Sequence, residues 1–259
     1  MFVIALNTIK EFIRNKIMYV IVFIAIGLIF FSIILSQLAL TESKKIIIDF
    51  TLTVIELFGL ITTLFLGSYL IYNEITKNTI LLILSKKPSR GHFLMGKLLG
   101  FLGLLSILYI ILTIAFLTVL FVHNIGFENV GSYIFAIFFS YLKISITLGF
   151  IILFSSFMSP FVSLLVTLGV YLISHSLGFV KFYLSVSGKV ADGTFTSKIV
   201  NFLYYFFPNF QDLSMKEYLS SPQLSNYTGW HILLSTGTSI IYIFILMVIA
   251  IAIFKKREF

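Results

Sequence analysis

The chain has 259 residues, 59% of them hydrophobic and only 11% charged, with no cysteine and a formal net charge of +8. That is far more apolar side chain than a soluble chain of this length can bury, so the chain belongs in a bilayer, and the lack of cysteine excludes disulfides and thiolate metal sites. The Lys and Arg residues stand in short clusters beside apolar runs, as orientation signals do, rather than along one face, so no nucleic-acid partner is expected.

The first sixteen residues precede any span. Within Asn7–Lys16, Ile9, Phe12 and Ile13 share a helical face while Lys10, Arg14 and Lys16 point away from it, the pattern of an amphipathic helix lying in the membrane interface. A basic flank that only orients the chain is the alternative. Six stretches follow that are long enough to cross about 30 Å of hydrocarbon, which takes roughly 20 helical residues: Ile17–Ser36, Ile46–Tyr72, Leu98–Val122, Tyr133–Met158, Phe161–Phe179 and Ile232–Phe254. The first is too long for the apolar core of a signal peptide, and Leu38-Ala39-Leu40 is a poor cleavage site, so it is expected to be retained.

Span two carries Asp49 and Glu56, seven residues apart and hence near one helical face, and span four carries Lys143. Ionisable residues inside spans are functional candidates by default. Glu56 and Lys143 lie at matched depth, roughly 15 Å from the outer ends of their spans at helical rise, so a pairing between them is expected. A structural pair holding the helices together, Lys143 snorkelling alone and a substrate-contacting role all fit, and Asp49 also fits a place at the outer interface. Ser140 and Lys143 form an S-x-x-K spacing that puts a hydroxyl and an amine on one face. The four histidines, His92, His123, His175 and His231, lie too far apart to form a metal site, and none is expected.

Between spans two and three, Ile80–Leu84 is a run of five apolar residues, too short to span, followed by Ser85-Lys86-Lys87-Pro88. The proline forces its predecessor out of the helical region, so a short helix with a hard stop is expected. With Glu74, Lys77, Lys87 and Arg90 around it, the run Ile80, Leu81, Leu82 suits docking into a groove on a soluble partner. A loop dipping into the headgroups is the alternative. Gly91–Lys97 satisfies G-x-x-x-x-G-K, but Leu98 stands where a phosphate-binding loop needs Ser or Thr and no strand precedes it, so the match is coincidental. Gly96, Gly100 and Gly103 place small residues where helices can approach closely.

Between spans five and six, Ser197 followed by Lys198–Phe207 reads as a capped, aromatic-rich short helix ended by Pro208, and Ser214–Glu217 as a capping box for a second. An aromatic belt is the alternative reading of the first. Asn226-Tyr227-Thr228 is a formal glycosylation sequon of little weight. Basic residues cluster before span one, after span two and, as Lys255, Lys256 and Arg257, after span six. An even number of spans puts these on one side, so both termini are expected to be cytoplasmic. Lys44 and Lys45 are a minor contrary sign.

Glu74, Thr79, Ile80, Leu84, Ser85, Lys87, Pro88, Ser89, Arg90, Phe93, Gly96 and Lys97 follow the order E…T-I…L-L-S-K-P-x-S-R…F-x-x-G-K, with Lys86 as an added base. This resembles the cytoplasmic coupling segment of ABC-2 type transporter permeases, in the branch resembling the nitrous-oxide-reductase maturation permease. Asp49 opening span two, the basic N-terminal stretch and the pair Pro208-Asn209 support the resemblance, which covers most of the chain. It implies a single all-α transmembrane domain over 1–259, with an N-terminal elbow helix, a cytoplasmic coupling helix and short outer helices. It also implies a non-catalytic subunit of an exporter in the cell membrane, paired with a second permease copy or a related permease. The chain carries no Walker motif, so ATP and Mg are expected on a separate cytosolic ATPase subunit, with no cofactor in this chain. The competing function class is a polytopic intramembrane enzyme using a Ser140/Lys143 dyad.

Overall fold

A computed structural model describes residues 1–38, 43–76, 90–123, 130–187, 200, 202–204, 206–214 and 229–256. Among these residues the regular structure is entirely helical. Seven long helices follow in chain order: α1 (Phe2–Ile13), α2 (Lys16–Gln37), α3 (Ser43–Thr76), α4 (Arg90–Val122), α5 (Val130–Ser155), α6 (Pro160–Ser187) and α7 (Gly229–Lys256). All but α1 are long and apolar enough to cross a membrane, so the chain reads as a multi-pass membrane protein. The segment Lys77–Ser89, including Lys77, Ile80, Leu81, Leu82, Lys87 and Pro88, lies outside the described residues.

Asn15 separates α1 from α2. Its backbone is extended, at φ −77° and ψ 122°, and its side-chain oxygen accepts from the Ile17 N–H at 3.0 Å, so one short polar residue ends the first helix and caps the second. Between α5 and α6 the ladder tightens: Ser156 and Phe157 donate to carbonyls three residues back, the Ser156 hydroxyl bonds the Ile152 carbonyl, and Pro160 opens α6 at the position where its missing N–H costs nothing. The fourth span therefore stops at Ser155 rather than continuing to Met158. Elsewhere the helices outrun the apolar windows. The third begins at Arg90, eight residues before Leu98, because hydropathy marks where hydrocarbon ends and not where helical hydrogen bonding ends.

The helices form a bundle with α5 at its centre, against α3, α4, α6 and α7, and α3 beside it against α2, α4, α5 and α6. The spanning windows of α5 and α3 are 83% and 72% buried, against 28% for α2, α6 and α7, which makes the last three the periphery. In α2, uniformly apolar in sequence, the inward stripe is Met18, Ile21, Ala25, Ile29, Ser32 and Ser36, at steps of three or four. Ser32 and Ser36 satisfy their hydroxyls on the carbonyls of Ile29 and Ile33, so small polar residues enter a packed face without an outside partner.

Helix α1 lies against α4. Its buried residues are Ala5, Thr8 and Phe12, while Phe2, Val3, Leu6 and Ile13 are exposed. The apolar face expected from Ile9, Phe12 and Ile13 is thus divided: Phe12 turns inward, edge-on to Phe101 at 5.2 Å between ring centroids, and Ile13 turns outward. The contact rests on the three glycines. A Cβ on Gly100 would fall 2.7 Å from both the Ala5 carbonyl oxygen and Thr8 Cβ, one on Gly96 2.9 Å from Ile4 Cβ, and one on Gly103 2.9 Å from Ile9 Cδ1. Gly91–Lys97, the stretch matching a phosphate-binding pattern, is continuous helix.

Candidate functional site

Helices α3 and α5 meet along the centre of the bundle, and each brings one charge to the contact. Lys143 Nζ donates to Glu56 Oε1 at 2.8 Å, with the Lys143 side chain 1% and the Glu56 side chain 9% exposed. The same carboxylate oxygen accepts the Tyr171 hydroxyl from α6 at 2.7 Å. Three helices are therefore joined at one atom. Charge-assisted bonds of this kind are short and strong, and they satisfy groups that are costly to desolvate singly.

A second layer sits beside the pair. The Tyr109 hydroxyl of α4 and the Ser140 Oγ of α5 share a hydrogen bond of 3.1 Å. The Tyr109 ring fits because α3 has Gly59 there, one turn beyond Glu56: a Cβ on Gly59 would lie 2.6 Å from the Tyr109 hydroxyl. Tyr141 packs edge-on to Tyr109 at 5.5 Å, and its hydroxyl donates to the Leu102 carbonyl at 3.2 Å with Ser106 Oγ 3.0 Å away. On α5, Thr147 Oγ1 bonds the Lys143 carbonyl at 3.0 Å, so Ser140, Lys143 and Thr147 form one polar strip at helical spacing. A cavity of about 10 Å³ lies against this strip, lined by Glu56, Ser140, Lys143 and Ser214 with apolar walls that include Ile137 and Leu213. That is about the room one water needs.

Residues 206–214 reach the cavity from the loop side. Phe210 is fully buried, packs on the Tyr171 ring at 5.5 Å, and donates its N–H to the Ser174 carbonyl at 3.2 Å. Gln211 lies against Gly178, which has no side chain to obstruct it. Asn209 holds the turn: its Oδ1 accepts from the Gln211 N–H at 3.2 Å and its Nδ2 donates to the Tyr204 hydroxyl at 3.3 Å, while Lys181 Nζ stands 3.6 Å over the Tyr204 ring. His175 stacks parallel to Tyr171 at 6.0 Å and is exposed.

Glu56 and Lys143 come together, whereas Asp49, half-buried two turns nearer the start of α3, accepts the Thr53 hydroxyl on its carbonyl. Glu74 closes the last turns of α3 and Arg90 opens α4, so both flank the segment outside the described residues. Ser140 pairs with Tyr109 and Lys143 with Glu56. Sequence reasoning missed Tyr171, Tyr109 and Phe210. A hydroxyl-bearing ring in mid-span needs an acceptor, and that is the one signal Tyr171 and Tyr109 offered. It also missed a third buried charge, Lys97 of α4, whose Nζ lies 3.5 Å from Glu11 Oε2 of α1. Among the described residues no group of three His, Cys, Asp or Glu forms a candidate metal centre. No protein-family model matches the chain, and it has no match among curated proteins.

Proposed function

We propose that the chain is the permease subunit of an ABC-2 type transporter, in which Lys77–Ser89 docks on a separate cytosolic ATPase and α3 and α4 carry its motion to the buried Glu56–Lys143 contact. The observation that carries the reading is the length of the two helices flanking that segment. They have 34 and 33 residues, about 50 Å each at helical rise, against a hydrocarbon core of about 30 Å. The excess helix of α4, from Arg90 to Lys97, adjoins the basic, proline-broken sequence that resembles the family's coupling segment. α3 also holds Glu56, so displacement at its loop end reaches the ion pair through one continuous rod.

In this reading α1 is the elbow helix, and residues 206–214 close the far end over Tyr171. The subunit works as a pair with a second copy or a related permease, both termini face the cytoplasm, and ATP and Mg belong to the partner. The substrate is exported or exposed at the outer leaflet. Lipids, glycans, peptides, small toxic molecules and a role in metalloenzyme maturation all fit the family that the chain resembles. The intramembrane-enzyme reading is disfavoured by the partners of its dyad: the Lys143 amine is held on the Glu56 carboxylate at 2.8 Å and the Ser140 hydroxyl shares a hydrogen bond with Tyr109 at 3.1 Å, so both groups are engaged outside the dyad.

The test is capture of the tagged chain from its native membranes. A soluble ATPase is expected to co-purify, and the chain alone is expected to show no ATP turnover above a mock preparation. Turnover by the isolated chain overturns the proposal.

A further inference from the structure

Beside the α1–α4 contact, an apolar groove of about 380 Å³ runs between Met1, Phe2, Ala5, Leu6 and Ile9 of the N-terminal helix and Leu99 of α4. Its volume falls within the range of small-molecule sites, about 300–1,000 Å³. Phe2, Leu6 and Leu99 are 76%, 41% and 48% exposed, so its rim opens away from the bundle. Lys10 stands one helical turn beyond Leu6, with Arg14 and Lys16 following. All three are exposed, and none has an acidic partner among the described residues. Glu11, the one carboxylate between Met1 and Gln37, lies instead against Lys97.

We propose that this groove seats an acyl chain of an anionic lipid whose headgroup is bound by Lys10, Arg14 and Lys16. The lining takes hydrocarbon and the adjoining bases require a negative group, the combination that a lipid with a net-negative headgroup provides and a zwitterionic one does not. A second copy of the chain fits less well, because a two-fold contact through this helix brings like charges together. The inference is independent of the transporter reading.

The full chain is purified in neutral detergent, offered equal amounts of dioleoylphosphatidylglycerol and dioleoylphosphatidylcholine, and analysed by native mass spectrometry and thermal unfolding. Phosphatidylglycerol is expected to be retained and to raise the melting temperature, with phosphatidylcholine doing neither. Lys10→Gln, Arg14→Gln and Lys16→Gln together are expected to weaken retention by about fivefold per charge removed. Leu99→Trp, which fills the groove from an exposed position, is expected to abolish retention with the bases intact. Both variants alter exposed side chains, and an unchanged melting temperature without lipid reports that the fold is kept. Equal retention of the two lipids by the native chain overturns the proposal, as does native-like phosphatidylglycerol binding by either variant.

Discussion

Glu56 and Lys143 each cost about 2.5–3.5 kcal/mol to place in mid-membrane, and they meet at 2.8 Å with Tyr171 completing the carboxylate. Removing one partner strands the other. Glu56→Gln or Lys143→Met alone is expected to destabilise the detergent-purified chain by about 3 kcal/mol, the double change by less than the sum, with a coupling of about 1–3 kcal/mol. Tyr171→Phe, which keeps the ring on Phe210 and loses one bond to a charged acceptor, is expected to cost about 1.5–3 kcal/mol. Melting temperatures of the four variants check this, and strict additivity of Glu56→Gln with Lys143→Met would exclude the partnership. A swap, Glu56→Lys with Lys143→Glu, separates roles: recovered stability without transport means that one of the groups meets substrate. The pair was legible because a charge inside an apolar run has few options. Tyr171 and Tyr109 were not, because a tyrosine in a membrane sequence reads equally as belt, filler or donor, and only packing decides which.

At the scale of elements, the spans were legible because hydrocarbon thickness demands about 20 apolar residues in a row. Their ends and inward faces were less so: α2 is apolar all round, and the stripe it buries follows from its neighbours rather than its composition. The glycines of α4 show both what pattern reveals and what it leaves out. Their spacing announced a close helix contact, but the partner proved to be α1. Gly100→Ala places a Cβ 2.7 Å from the Ala5 backbone oxygen, where no side chain can yield, so α1 must move off; a loss of about 1–3 kcal/mol is expected. Gly169→Ala in α6 meets nothing within 4 Å and is expected to be neutral or slightly stabilising, by up to about 1 kcal/mol from helix propensity. Equal melting temperatures for the two variants would show that the α1–α4 contact is not tight. For the segment outside the described residues, Leu81→Asp with Leu82→Asp is expected to cut ATPase recruitment by at least about tenfold, as loss of an apolar anchor does at an interface, while insertion persists. Unchanged recruitment and transport would remove the coupling role.

For the whole molecule, the crossing of a membrane by all six long apolar helices would put Arg14 and Lys255 on one side and Lys44 on the other. The absence of cysteine makes this directly testable, since any thiol introduced is the only one present. Arg14, Lys44 and Lys255 are all exposed: the first lies between α1 and α2, the second in the first turn of α3, and the third in the last turn of α7. In intact cells, a membrane-impermeant maleimide is expected to label Lys44→Cys and to leave Arg14→Cys and Lys255→Cys untouched until the cells are opened. Labelling of Arg14→Cys and Lys255→Cys on different sides would mean an odd number of crossings and would break the six-span reading. The mirror pattern, with both terminal positions labelled outside and Lys44→Cys protected, would keep the bundle and invert it. Lys77–Ser89 would then face away from the cytoplasm, where no ATP-hydrolysing partner can reach it, and the positive-inside argument would have to yield to the contrary sign of Lys44 and Lys45. The fold, the ion pair and the lipid groove would survive that outcome, but the transporter reading would not, because it alone depends on which compartment holds the loop between α3 and α4.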